Sequence, residues 1–150
     1  MIKYHVTKSG EEPKVISFPG KGKIEGIETC MGFAILNRRK RKAYIGEYFN
    51  FDTSSEALVD HAISEARNIG DLEVTVVGNI PLSKADVKFC RDDFQTVLEQ
   101  YRAHGIWALQ MLESKGITRV RNHLEQDPVD GHYNLKVYTA SRKIEFERCG

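Results

Sequence analysis

Apolar and polar residues follow two rhythms along this chain, a period of two and a longer helical one, and the rhythm switches several times. Residues 2–6 read as a short strand. A turn at Ser9-Gly10-Glu11-Glu12-Pro13 separates it from a second, around Val15, Ile16 and Phe18. Gly20, Gly22 and Gly26 crowd the next stretch, which predicts a flexible loop or a place where backbone makes a close approach. Residues 29–36 are apolar on both alternating faces. Cys30, Gly32, Ala34 and Leu36 form one, and Met31, Phe33 and Ile35 the other, as in a strand covered on two sides. Polar Asn37-Arg38-Arg39-Lys40-Arg41 leads to a partner strand over 43–49, so the two make a hairpin.

From Asp52 the period becomes helical. Thr53 and Glu56 have capping-box spacing, Leu58, Val59, Ala62, Ile63, Ala66 and Ile69 form the apolar stripe, and Gly70 is the expected stop. Leu72, Val74 and Val76 alternate as a strand running into Gly78-Asn79. Over 91–115, Phe94, Leu98, Tyr101, Gly105, Ala108 and Leu112 recur every three or four residues, one face of a long helix closed by Gly116. Gly105 costs that helix about 1 kcal/mol against alanine, enough to permit a break. Residues 117–124 form a strand, and Asp130-Gly131 is a hairpin-type turn. Leu135, Val137 and Tyr138 pair with Ile144 and Phe146 around Thr139-Ala140-Ser141-Arg142. The order predicts an α+β fold of mostly antiparallel β-sheets layered with two main helices.

Composition narrows the class. The 150 residues suit a single domain, and 41% hydrophobic with 29% charged residues suits a folded one. Lys plus Arg is 22 and Asp plus Glu 21, so a dedicated nucleic-acid binder is not expected. The basic run Arg38-Arg39-Lys40-Arg41-Lys42 reads as a solvated hairpin tip before it reads as a contact for an acidic partner. No apolar stretch approaches the ~20 residues of a membrane span, and the first residues lack the apolar core of a secretory leader. Cys30, Cys90 and Cys149 are too few and too scattered for a disulfide scaffold, so a reducing, cytoplasmic setting is expected. No cysteine or histidine pair has metal-ligand spacing, and Lys21-Gly22-Lys23 lacks the rest of a phosphate loop; neither metal nor cofactor is expected.

Among the thiols, Cys30 stands out. It opens an apolar strand behind a glycine-rich segment, where backbone N–H groups near residues 26–30 can hold an oxyanion. A buried structural cysteine is the ordinary alternative. Cys90 precedes the long helix, and Cys149 is penultimate and expected to fray. His61 and His104 read as surface or satisfied helix residues; His123 and His132 fall on neighbouring candidate strands.

The string Thr29-Cys30-Met31-Gly32-Phe33-Ala34-Ile35-Leu36-Asn37, followed by Ala43-Tyr44-Ile45-Gly46, resembles the nucleophile hairpin of the CheD-like cysteine hydrolases. That superfamily holds the chemoreceptor glutamine deamidases and the catalytic domain of cytotoxic necrotizing factors. The similarity spans residues 24–148. It includes a helix at 54–69, a strand ending in Val76-Val77-Gly78-Asn79, a helix into Lys115-Gly116-Ile117, and a closing hairpin over 131–144. The resemblance implies Cys30 as nucleophile, a histidine on the partner strand and a nearby threonine or other polar group. Glu47 stands where the histidine is expected. A carboxylate disfavours a neighbouring thiolate, and its ordinary pKa lies about 4 units below that of a thiol. The implied site is Cys30 with Glu47 or His132 as proton partner and Thr29 adjacent, although strand alternation turns Thr29 to the other face. Two functions fit: a cysteine-dependent amidohydrolase acting on a protein or peptide amide, or a noncatalytic binding or regulatory domain that keeps the fold.

Overall fold

Two sheets and a layer of helices share one hairpin as their centre. The computed structural model describes residues 2–88 and 92–150. Along the described residues run β1 (Tyr4–Val6), β2 (Lys14–Ile16), β3 (Lys21–Ile27), β4 (Met31–Asn37), β5 (Lys42–Tyr48), α1 (Ser55–Glu65), β6 (Leu72–Gly78), α2 (Lys84–Val87), α3 (Phe94–Ser114), β7 (Arg119–Leu124), β8 (His132–Tyr138) and β9 (Lys143–Cys149). One sheet has the order β2-β5-β4-β6-β7 and the other β1-β3-β8-β9. Each is antiparallel except for one pair, β6 with β7 and β1 with β3. The fold is α+β.

Every residue of β4 is buried, and its alternation divides the molecule. Ala34 and Leu36 face the four-stranded sheet, joining Ile16, Ile24, Ile45, Leu135 and Val137 in a core between the sheets. Met31, Phe33 and Ile35 face the other way, into a core with Leu58 and Val59 of α1 and Ala108, Met111 and Leu112 of α3. Each such side chain fully withdrawn from water contributes roughly 1.5–3 kcal/mol before chain entropy is set against it.

Several expectations change. The glycine-rich stretch is no loop: residues 21–27 form β3, an interior strand of the four-stranded sheet. Close approach, the other reading, holds at Gly22, while Gly26 has open space and a φ of 70°. A Cβ at Gly22 would drive into Cδ1 of Ile16 and stand 2.8 Å from Cδ1 of Ile45, so the sheets close over that position only without a side chain. Helix α3 runs unbroken through Gly105, where a Cβ would stand 3.1 Å from Nδ2 of Asn79. The capping box at Thr53 does not form. Helix α1 starts one residue later, with Ser54 at its N-cap, and Asp52 Oδ1 accepts from the Ser54 backbone N–H at 2.9 Å. The same helix ends at Glu65 rather than Gly70, because the chain must extend to bring Leu72 opposite Asn37; Gly70 lies in a 3-10 turn and Ile69 is left exposed. Asp130-Gly131 does not join a hairpin, since β7 and β8 lie in different sheets. Cys149 is not frayed but ends β9, opposite His132. No helix among the described residues is long and apolar enough to cross a membrane.

His104 is buried in α3, its ring stacked on Trp107 at 5.3 Å between centroids. Burial holds its imidazole below the ordinary 6.5, with Asp52 opposing the shift. The unfolded chain therefore takes up this proton first as pH falls, so the stability this residue adds above pH 6.5 is lost on acidification. Fluorescence of Trp107, the chain's one tryptophan, should titrate with a midpoint below 6.5, while stability to urea declines over the same range. Gly22→Ala should cost about 1–3 kcal/mol in the same denaturation assay. Gly70→Ala, where nothing lies within 4 Å of an added Cβ, should be neutral or slightly stabilising.

Candidate functional site

Cys30 lies just outside the regular strand. Strand β3 ends at Ile27 and β4 starts at Met31, leaving residues 28–30 as a bend that carries the chain from one sheet to the other. The end of β6 fastens that bend. The Asn79 backbone N–H donates to the Cys30 carbonyl at 2.7 Å, and the Ile80 N–H to the Glu28 carbonyl at 2.9 Å. Gly78 has φ of 96°, and a Cβ there would collide with the Cys30 carbonyl, so both conformation and space demand glycine. Asn79, fully buried, donates from Nδ2 to the Tyr101 carbonyl of α3 at 2.8 Å and accepts at Oδ1 from Asn50 Nδ2 at 2.9 Å. The backbone that presents Cys30 is thus tied to β6, to α3 and to the turn after β5.

The thiol is 8% exposed. Its Sγ donates to Ser9 Oγ at 3.5 Å. Ser9 belongs to the turn between β1 and β2, and its backbone N–H donates to Glu47 Oε1 at 3.2 Å. That turn is held by Thr7, whose Oγ1 donates to the Glu12 carbonyl at 2.9 Å. Glu47 is opposite Gly32 in the β4/β5 register and is also 8% exposed. Burial pushes the Cys30 thiol above its ordinary pKa; the Ser9 hydroxyl opposes the shift and the Glu47 carboxylate adds to it. Burial likewise raises the Glu47 carboxyl, against hydrogen bonds from the Ser9 N–H and the Cys30 thiol. Ser9 thus links the two groups, its hydroxyl accepting from the thiol and its N–H holding the carboxylate, and the raised thiol keeps its proton on sulfur.

Thr29 adjoins Cys30 in the bend and acts to lower the thiol's pKa against the effect of burial. Strand alternation turned it away, but residues 28–30 are a bend, where alternation does not apply. His132 is not brought to the thiol. Tyr133 is buried toward the inter-sheet core, so alternation along β8 sends His132 to the outer face of the four-stranded sheet, and it is not among the groups acting on Cys30. The other histidines are engaged elsewhere or exposed: His61 pairs with Glu65 at 3.3 Å, and His123 packs on Phe146. Of the backbone donors over 26–30, the Gly26 N–H is spent on Asn134 Oδ1 at 3.0 Å. Cys90 falls outside the described residues. No group of three or more His, Cys, Asp and Glu placed to hold a metal occurs among the described residues.

Ser9 was invisible to sequence reasoning, because twenty-odd residues separate it from Cys30 and no motif marks it. Gly78-Asn79 carried a signal, a strand ending in two residues that favour left-handed backbone, but not its target. Beside the bend lies a cleft of about 710 Å³, lined in part by Glu28, Thr29, Ile80, Pro81, Val129 and Asp130. The basic run is partly consumed internally: Arg38 pairs with Glu73 at 3.1 Å, Lys42 with Glu65 at 2.9 Å, and the Arg41 guanidinium lies over the Phe18 ring.

No protein-family model matches this chain, and no curated protein matches it. Gly78→Ala should lower stability by about 1–3 kcal/mol and speed alkylation of Cys30, because the bend must leave β6 to make room. An unchanged melting temperature and thiol reactivity would refute the clamp.

Proposed function

We propose that this chain is a noncatalytic binding or regulatory domain of CheD-like architecture, acting on a protein or peptide partner. The observation that carries the reading is the environment of Cys30: a buried thiol bonded to Ser9, which also holds Glu47, so that a carboxylate stands where a hydrolase of this kind needs an imidazole. The nucleophile of thiol hydrolases is the thiolate. Moving the proton from a thiol to a carboxylate costs about 4 pKa units, or roughly 5 kcal/mol, at ordinary values. Burial raises both groups here, and the carboxylate raises the thiol further. Such a pair, joined through Ser9, is stable at neutral pH as a structural contact. The cleft beside the bend suits binding. Its size falls within the range of ligand sites, and Ile80, Pro81 and Val129 give it an apolar lining beside the carboxylates of Glu28 and Asp130.

One observation favours a second reading, a cysteine amidohydrolase. Cys30, Glu47, Ser9 and Thr29 form one connected polar cluster next to that cleft. In that reaction Cys30 Sγ attacks the amide carbon, its proton passes to Glu47, and Glu47 returns it to the departing ammonia.

Alkylation of Cys30 against pH, in a chain carrying Cys90→Ser and Cys149→Ser, separates the two. The binding reading expects half-maximal reactivity above about pH 8.5. Glu47→Gln then lowers that midpoint by removing a negative charge, and Glu47→His lowers it further by supplying an imidazolium. Reactivity persisting well below about pH 8 in the unsubstituted site and abolished by Glu47→Gln would establish the hydrolase instead.

A further inference from the structure

The four-stranded sheet turns one face to the inter-sheet core and the other outward, and the outward face carries an unusual concentration of charge. Along β3 and β8, Gly22, Ile24, Leu135 and Val137 are buried, while Lys21, Lys23, Lys136 and Tyr138 alternate with them on the outer side. Tyr4 of β1 is level with Lys21, which is level with Tyr138; Lys23 stands directly opposite Lys136. The long side chains do not splay apart into solvent. All three ammonium groups converge on the Tyr4 ring, with Nζ of Lys21, Lys23 and Lys136 at 4.2, 5.0 and 5.9 Å from its centroid. Lys136 and Tyr138 reach across β3 to do so, and the hydroxyls of Tyr4 and Tyr138 meet at 2.7 Å.

We infer that this face is an oxyanion site, and that the group it fits is a phosphate dianion, free or as a phosphomonoester. Like charges directly opposite on paired strands are unfavourable, so Lys23 against Lys136 costs the empty sheet stability. The ring does not offset all of this: it has two faces, and a third ammonium gains least from it. The carboxylate in contact is Glu25, bonded to Lys23 at 2.7 Å and held below the usual carboxylate range by Lys23 and, more weakly, Lys136. Glu145 is level with Lys136 on β9, and Lys143 with Tyr138. Lys21, Lys23, Lys136 and Lys143 against Glu25 and Glu145 leave two positive charges, which a phosphate dianion neutralises. In the tyrosine pair one hydroxyl donates and the other accepts, so the acceptor keeps its own proton to give to an anion. Compact ammonium groups with three donors each suit the phosphoryl oxygens.

The test titrates the full chain with inorganic phosphate and, separately, with O-phosphoserine, at ionic strength held constant with chloride, following the aromatic NMR signals of Tyr4 and Tyr138. Saturable shifts centred on these two rings are expected, and Lys21→Met or Lys136→Met should weaken them by about tenfold. The same variants should melt at an equal or higher temperature than the parent in phosphate-free buffer. Tighter binding of O-phosphoserine would assign the site to a phosphorylated partner, and tighter binding of inorganic phosphate to the free ion. No saturation, undiminished binding by Lys136→Met, or a lower phosphate-free melting temperature in both variants would overturn the site, the last by showing that the lysines are held for the ring alone.

Discussion

Strand β4 is buried on both faces, so its backbone must be paired on both edges and its side chains must fill two different cores. Few sequences meet that requirement. It explains the unbroken apolar run over 31–36, the small residues Gly32 and Ala34 on the side where the second sheet closes in, and the larger Met31, Phe33 and Ile35 on the helical side. It also fixes what lies at the strand's ends. A strand with both neighbours in place can be entered only by a bend at the sheet margin, and that bend is where Cys30 sits.

The chemistry of the bend follows from its dryness. A thiol and a carboxylate, both nearly withdrawn from water, each favour the neutral form, and burial with the nearby carboxylate keeps the proton on sulfur. An imidazolium in place of Glu47 would reverse the balance, since it stabilises a thiolate through the same low dielectric that here opposes one. The side chain at position 47 thus adds to what burial does to a residue seventeen positions away in sequence and one strand away in space.

The hairpin of β4 and β5, the strand β6, the long helix and the closing hairpin were all legible in the sequence, because each rests on a periodicity that local burial enforces. What was not legible depends on partners distant in sequence. Gly105 looks like a break until Asn79 is placed against it, and at Gly22 loop and close approach stay open until Ile16 and Ile45 are placed. Asp130-Gly131 has the residues of a hairpin turn, yet serves a crossing between sheets, since local chemistry specifies a turn but not which strands it joins. At the site, Cys30 stood out by its place behind the glycine-rich segment and Glu47 only through the family resemblance, while Thr29 was assigned by strand alternation to a segment that is a bend. Ser9 could not be found, because its role depends on how the β1–β2 turn folds over the hairpin.

The order of strands in the smaller sheet has a temporal side. That sheet pairs β1 and β3, made within the first 27 residues, with β8 and β9, which begin only at His132. During synthesis the five-stranded sheet can assemble first, while Ile24 and Ile27 wait for Leu135 and Val137 to cover them. Contacts of such sequence separation are slow to form and leave apolar surface and strand edges open meanwhile. Lysines at positions 21 and 23 flank that waiting strand with charge, a feature that discourages pairing with other chains until the proper partner arrives.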